Sequence, residues 1–110
     1  MIVRTSEAWV RPGARDEFMR VLRDMVATFR DRYPGLVTHE IMVDRDDADR
    51  VIYRSTWLDE DAVAGFAGDD WATSPVTFPD EQQLLREPLR LRHFVTDDIP
   101  DSGEDFTPLE

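Results

Sequence analysis

His39 and His93 are the only two side chains of this 110-residue sequence that ordinarily titrate near neutral pH, and the chain contains neither cysteine nor asparagine. Without a thiol, thiolate catalysis, zinc-thiolate sites, iron-sulfur clusters and disulfide frameworks drop out together. No nucleophile elbow and no phosphate-cradling glycine loop is present, so acyl and phosphoryl transfer have no support. What remains is imidazole acid-base chemistry beside hydroxyls and large aromatic faces: Ser6, Tyr53, Ser55, Trp57, Phe66 and Trp71. That set can supply a base and flat walls for an aromatic ring. One histidine would be the base, Tyr53 a hydrogen-bond donor, Trp57 a flat wall with Ser55 beside it, Phe66 a closing group and Trp71 a lid.

Each of these residues also has a plain structural reading. Either histidine fits a neutral core imidazole satisfied by backbone or by Tyr53, Trp57 fits a plug in the core, and Trp71 fits an anchor for its own loop. Two histidines without a third ligand make a weak metal case, because Glu40 alternates away from His39; no metal is expected. The acidic run 44–49 lacks the glycine and terminal glutamate of a calcium loop and reads as a solvated hairpin turn.

The elements that position these groups follow from hydrophobic period and punctuation. Residues 2–10 read as a strand closed by Pro12-Gly13, and residues 14–32 as one amphipathic helix with Phe18, Leu22, Met25 and Phe29 on its buried stripe. Tyr33-Pro34-Gly35 ends it. Two strands, 36–43 and 50–57, flank the acidic hairpin. Asp59 caps a second helix ending near residue 69, a loop carries Trp71, Asp80 caps a short helix over 81–86, and a last strand spans 89–96. The order β-α-β-β-α-β is the ferredoxin-like arrangement, an α+β sandwich with a four-stranded antiparallel sheet and both helices on one face. It fills residues 1–97 as one domain, and residues 98–110 read as an acidic, flexible tail.

Period-two alternation turns Val37, His39, Ile41 and Val43 toward the helices, with Val51, Tyr53, Ser55 and Trp57, then Leu89, Leu91, His93 and Val95, and Ile2, Ser6, Ala8 and Val10. Both histidines then sit on one surface, on strands expected to be neighbours. The opposite face mixes Trp9, Met42, Ile52 and Phe94 with Glu7, Glu40, Arg54, Arg90 and Arg92, which suits a homodimer interface through the sheet.

Charge narrows the partners. The net charge is −11, yet the first 96 residues carry only −5, because six acids and no base lie in residues 97–110. An acidic domain with no basic stripe is not expected to bind nucleic acid or an anionic membrane. No apolar run approaches the ~20 residues of a membrane span, and no secretory pattern opens the chain, so a cytoplasmic location is expected.

Tyr33 to Trp57 resembles the antibiotic biosynthesis monooxygenase family of dimeric α/β barrel proteins. The features that carry the likeness are Pro34-Gly35 opening a strand, His39-Glu40-Ile41 within it, the hairpin Asp44-Arg45-Asp46-Asp47, and Tyr53-Arg54-Ser55-Thr56-Trp57 before an acid-capped helix; Val10-Arg11-Pro12-Gly13 adds to them. The resemblance implies a dimeric barrel and a cofactor-independent oxygenase that acts on a small aromatic or polyketide-type molecule, a quinol or anthrone, whose deprotonated form reduces oxygen. Where such oxygenases place an asparagine four residues before the tryptophan, this chain has Tyr53. The asparagine, tryptophan and histidine of the haem-degrading relatives match Ser6, Trp57 and Ala67, so only the tryptophan is kept. The alternative is a non-catalytic member that binds a small apolar ligand or stabilises a partner enzyme. An open pocket of roughly 300 Å3 between sheet and helices separates the first reading from the second.

Overall fold

The structure is a computed structural model and describes residues 1–100. Its elements are β1 (Ile2–Trp9), α1 (Arg15–Val26), α2 (Phe29–Arg32), β2 (Leu36–Val43), β3 (Arg50–Trp57), α3 (Glu60–Ala67), a 3-10 turn (Glu81–Leu84) and β4 (Arg90–Val95). The four strands form one antiparallel sheet in the order β2-β3-β1-β4, the ferredoxin-like order expected from the sequence. Phe18, Met19, Leu22 and Val26 of α1, Phe29 of α2 and Val63 of α3 close over Ala8, Val51, Tyr53 and Trp57 to make the core. Of the expected acidic tail, residues 101–110 lie outside the described residues.

Several local expectations need correction. The first helix is not continuous to residue 32: Thr28 turns its hydroxyl back onto the Met25 carbonyl (2.9 Å) and the backbone breaks there before α2 resumes. A β-branched residue that bonds its own preceding turn competes with the helical ladder. Asp59 caps α3 as expected, accepting from the Ala62 N–H at 2.9 Å, and Gly68 ends that helix at φ 93°, where a side chain would be strained. Asp80 makes no cap; it sits left-handed at φ 64°. The isolated bridge between Val10 and Leu85, with Arg11 N–H on the Leu84 carbonyl (2.8 Å) and Arg86 N–H on that of Trp9 (2.8 Å), staples the 3-10 turn to the end of β1.

Side-chain parity holds across β1, β3 and β4, but a register shift between Leu36 and Thr38 alters β2. Leu36, not Val37, is opposite Trp57 and is 5% exposed. Gly35 lies in the turn before it with no room for a methyl group, because a Cβ there would collide with the Ala62 side chain of α3. The second correction concerns the histidines. β2 and β4 are the two edges of the sheet, so His39 and His93 are separated by β3 and β1 rather than adjacent.

On the outer face, Glu7 pairs with Arg50, and Arg50 reaches Asp44 at 2.9 Å. The guanidiniums of Arg50 and Arg90 lie over the Trp9 ring at 5.9 and 5.2 Å, so this indole is partly covered within one chain. Glu40 and Arg54 face each other at 3.7 Å, with Met42 36% and Phe94 52% exposed on the same side.

Candidate functional site

Between sheet and helices lies a cavity of about 30 Å3, lined by Arg4, Ser6, Tyr53 and Glu81 among apolar and aromatic side chains from α1, α2 and α3. It has room for one or two water molecules, an order of magnitude below a pocket for a drug-sized ring system. Met25, Phe29 and Val76 line this cavity and also an open groove of about 510 Å3 between the helices and residues 76–79. They therefore form a thin partition between interior and surface, and Met25 is its most adaptable member.

Arg4 is the most consequential group that sequence reasoning passed over. It shares parity with Ile2, Ser6 and Ala8, and is 4% exposed. Its Nη1 donates to the Trp71 carbonyl (2.7 Å) and to His93 Nε2 (2.9 Å), and Nη2 donates to the Ser74 carbonyl (2.9 Å). Burial lowers its pKa to about 10, which leaves it a cation at neutral pH. Because His93 Nε2 must accept from a guanidinium, its proton belongs on Nδ1. Burial, and then the charge of Arg4, push the His93 pKa below its ordinary 6.5.

Glu81 is the second missed residue. Sequence alone marks it as a first-turn acid after Asp80, a position where acids are ordinary. The 69–79 loop buries it: Phe78 packs on Phe18 with ring centroids 5.7 Å apart, and Glu81 is left 3% exposed. Its Oε1 accepts from the Phe78 N–H at 3.1 Å. Burial pushes this carboxyl up to about 7, with the Phe78 hydrogen bond opposing.

Of the residues singled out from sequence, Ser6, Tyr53 and Phe66 line the cavity. His39 lies behind Tyr53 and shares a 2.6 Å hydrogen bond between Nδ1 and the phenol oxygen. It lines a separate surface groove of about 290 Å3 in which Tyr53 is the common wall. Burial and then the charge of Arg30 lower the His39 pKa, while burial raises that of Tyr53. Neither imidazole lines the cavity; His39 meets it through Tyr53 and His93 through Arg4.

Trp57 and Ser55 are not cavity walls. Trp57 is fully buried, donates its Nε1–H to Ser55 Oγ at 2.9 Å, and stacks on Phe66 at 4.7 Å, so it backs the wall that Phe66 presents. Trp71 takes the anchoring role: its carbonyl holds Arg4 and its ring meets His93 edge-on at 4.8 Å. Among the described residues no group of three His, Asp or Glu side chains is placed to hold a metal ion, and no helix is long and apolar enough to cross a membrane.

The comparisons with known proteins agree with this architecture. A sequence profile described as antibiotic biosynthesis monooxygenase matches residues 1–71. A crystal structure of an antibiotic biosynthesis monooxygenase superposes with a TM-score of 0.69 at 19% identity, covering 91% of this chain and 100% of that one. A Pseudomonas aeruginosa protein gives 0.70 at 18% identity over 88% and 94%, and a conserved protein from Methanosarcina mazei gives 0.70 at 14% over 87% and 92%. Among curated proteins none matches the sequence. At such identities the structural likeness establishes the fold alone.

Proposed function

The chain belongs to the antibiotic biosynthesis monooxygenase family, and from that premise we propose that it is a cofactor-independent oxygenase of a small aromatic or polyketide-type molecule, a quinol or anthrone. The observation that carries this reading is the convergence of Arg4, Ser6, Tyr53 and Glu81 on a cavity otherwise walled by Phe18, Phe29, Phe66 and aliphatic groups. A core built only for stability would not bury a guanidinium and a carboxyl around a void, since each is costly to desolvate. An aromatic substrate enters along the groove by residues 76–79, displaces Met25 and Val76, and joins the groove to the cavity. Its ring packs on Phe29 and Phe66 and its oxygen meets Arg4 and Tyr53. His39 relays a proton through the Tyr53 hydroxyl, and His93 positions Arg4. The reaction consumes oxygen at the expense of the deprotonated substrate, in a site from which water has been displaced.

We further propose that two copies pair through the outer sheet face, where Met42 and Phe94 are exposed beside the Glu40–Arg54 pair. The 30 Å3 volume favours a second reading, a non-catalytic ligand-binding or partner-stabilising protein. Oxygen-electrode assays over a panel of quinols and anthrones, run beside binding titrations, decide between them. Uptake that falls with Tyr53→Phe supports the oxygenase, binding without uptake supports the second reading, and absence of both overturns the pair.

A further inference from the structure

The surface groove of about 290 Å3 beside the edge strand β2 has a chemistry of its own. Val26, Ala27 and Ile41 give it an apolar floor, and its charged or titratable groups, besides Tyr53 in the wall, are Arg23, His39 and Glu40. The Glu40 carboxylate faces Arg54 at 3.7 Å on the outer side of the sheet, and Asp24 of α1 lines the other groove. Arg23 makes no ion pair among the described residues, and Arg30 is close enough for its charge to act on His39. The groove is therefore electropositive in a chain whose net charge is −11. His39 adds a directed donor. Its 2.6 Å bond is the only one the buried Tyr53 hydroxyl makes among the described residues, and such a hydroxyl is satisfied by donating its proton. Nδ1 therefore accepts, the ring proton sits on Nε2, and Nε2 has no partner among the described residues.

We propose that this groove binds a compact apolar monocarboxylate, a molecule of the size of benzoate, with its carboxylate between Arg23 and the His39 Nε2–H and its body on Val26, Ala27 and Ile41. Each feature selects part of that ligand. A guanidinium and an N–H donor together match the oxygens of a carboxylate, and charge-assisted bonds of this kind are about twice as strong as neutral ones. The apolar floor favours a hydrocarbon body that an inorganic anion lacks. A volume at the lower end of the range for small-molecule pockets fits one ring and not a polycyclic system. The site stands whether or not the cavity turns over a substrate. Binding also has a sign in pH. Tyr53, Arg23, Arg30 and Glu40 are the titratable and charged groups that face His39. Burial and the charge of Arg30 hold the imidazole below its ordinary 6.5, so it is neutral at neutral pH and becomes a second cation as pH falls. A bound carboxylate gains affinity on acidification until it takes up a proton itself.

The experiment is a titration of the nitrogen-15-labelled full chain with sodium benzoate, followed by amide and imidazole shifts, with benzamide and inorganic phosphate as controls. Saturable shifts centred on residues 23–27 and 39–41 are expected, with a Kd on the order of 1 mM or tighter, and with benzamide and phosphate about tenfold weaker or more. Arg23→Met and His39→Gln should each weaken benzoate binding about tenfold. Lowering the pH from about 7.5 to about 5.5 should tighten it roughly threefold or more in the wild type and leave it unchanged in His39→Gln. Benzoate shifts centred on the groove by residues 76–79 overturn the proposal, as does binding of benzamide or phosphate as tight as that of benzoate. An unchanged Kd in Arg23→Met overturns it as well. Arg23 is exposed, so its replacement disturbs no buried contact and decides the matter if His39→Gln does not fold.

Discussion

Replacing Glu81 by glutamine tests the desolvation of this carboxyl without any substrate. Glutamine keeps the volume and can still accept from the Phe78 N–H with its amide oxygen, so the packing on Phe78 is preserved. The wild-type carboxyl is raised in the folded chain from an ordinary 4.5 to about 7. Between those values the folded state holds a proton that the unfolded state has released, so stability falls as pH rises through this window and is level above it. At ~1.4 kcal/mol per pH unit, the full penalty above pH 7 is about 3 kcal/mol. Urea denaturation of wild type and Glu81→Gln at pH 4.5 and pH 8.5, at equal protein concentration, reads the difference directly. The variant is expected to be more stable by about 3 kcal/mol at pH 8.5, a midpoint shift on the order of 1 M or more, with most of that advantage gone at pH 4.5. A wild-type-to-variant difference that is the same at both pH values would refute the reasoning, because burial of a neutralisable charge is its only source.

Three further outcomes follow from other parts of the fold. His93 is held below its ordinary 6.5 and accepts from Arg4, so its contribution is complete above about pH 6.5 and is lost as pH falls through the folded value; amide exchange of residues 71–74 should quicken on acidification relative to the central strands, and His93→Gln, which accepts at every pH, should flatten that response. Gly35→Ala pushes a methyl group into Ala62 and should destabilise by about 1–3 kcal/mol, with Ala62→Gly in the same chain recovering most of it, as read from thermal melts of both variants. Phe94→Glu should convert a wild-type dimer to a folded monomer in sedimentation experiments; a wild type that is already monomeric at assay concentration ends the proposed pairing.

How far the site could be read from sequence depended on the range of the interaction that made each part. Period-two alternation is a local property of an extended chain, and it turned Tyr53, Ser55, Trp57, His39 and His93 to the helix side as observed. The same parity held Arg4 in plain view between Ile2 and Ser6; a charge among apolar neighbours was the available signal. The separation of the histidines followed from topology rather than pattern, since the ferredoxin-like order already puts the second and fourth strands at opposite edges. The bulge after Leu36 was not legible from alternation, and neither was the close approach of Gly35 to Ala62, residues far apart in sequence. Glu81 was also hidden, for its burial depends on a loop folding back to lay Phe78 on Phe18.

The proton affinities of Glu81 and the two histidines turn on one physical effect acting with opposite sign on two residue types. A histidine that accepts a proton becomes a cation, so burial makes it a weaker base; the nearby charges of Arg4 and Arg30 weaken His93 and His39 further. A carboxylate that accepts a proton becomes neutral, so burial makes it a stronger base, and Glu81 rises to about 7 in the same interior. In water the imidazole is the better acceptor of the two by about two pH units. In this fold the order is reversed, with His39 hydrogen-bonded to Tyr53 and His93 to Arg4 behind the cavity wall. Burial therefore raises the proton affinity of a carboxylate and lowers that of an imidazole, so the residue type with the higher pKa in solution is not the one that holds its proton better in this fold.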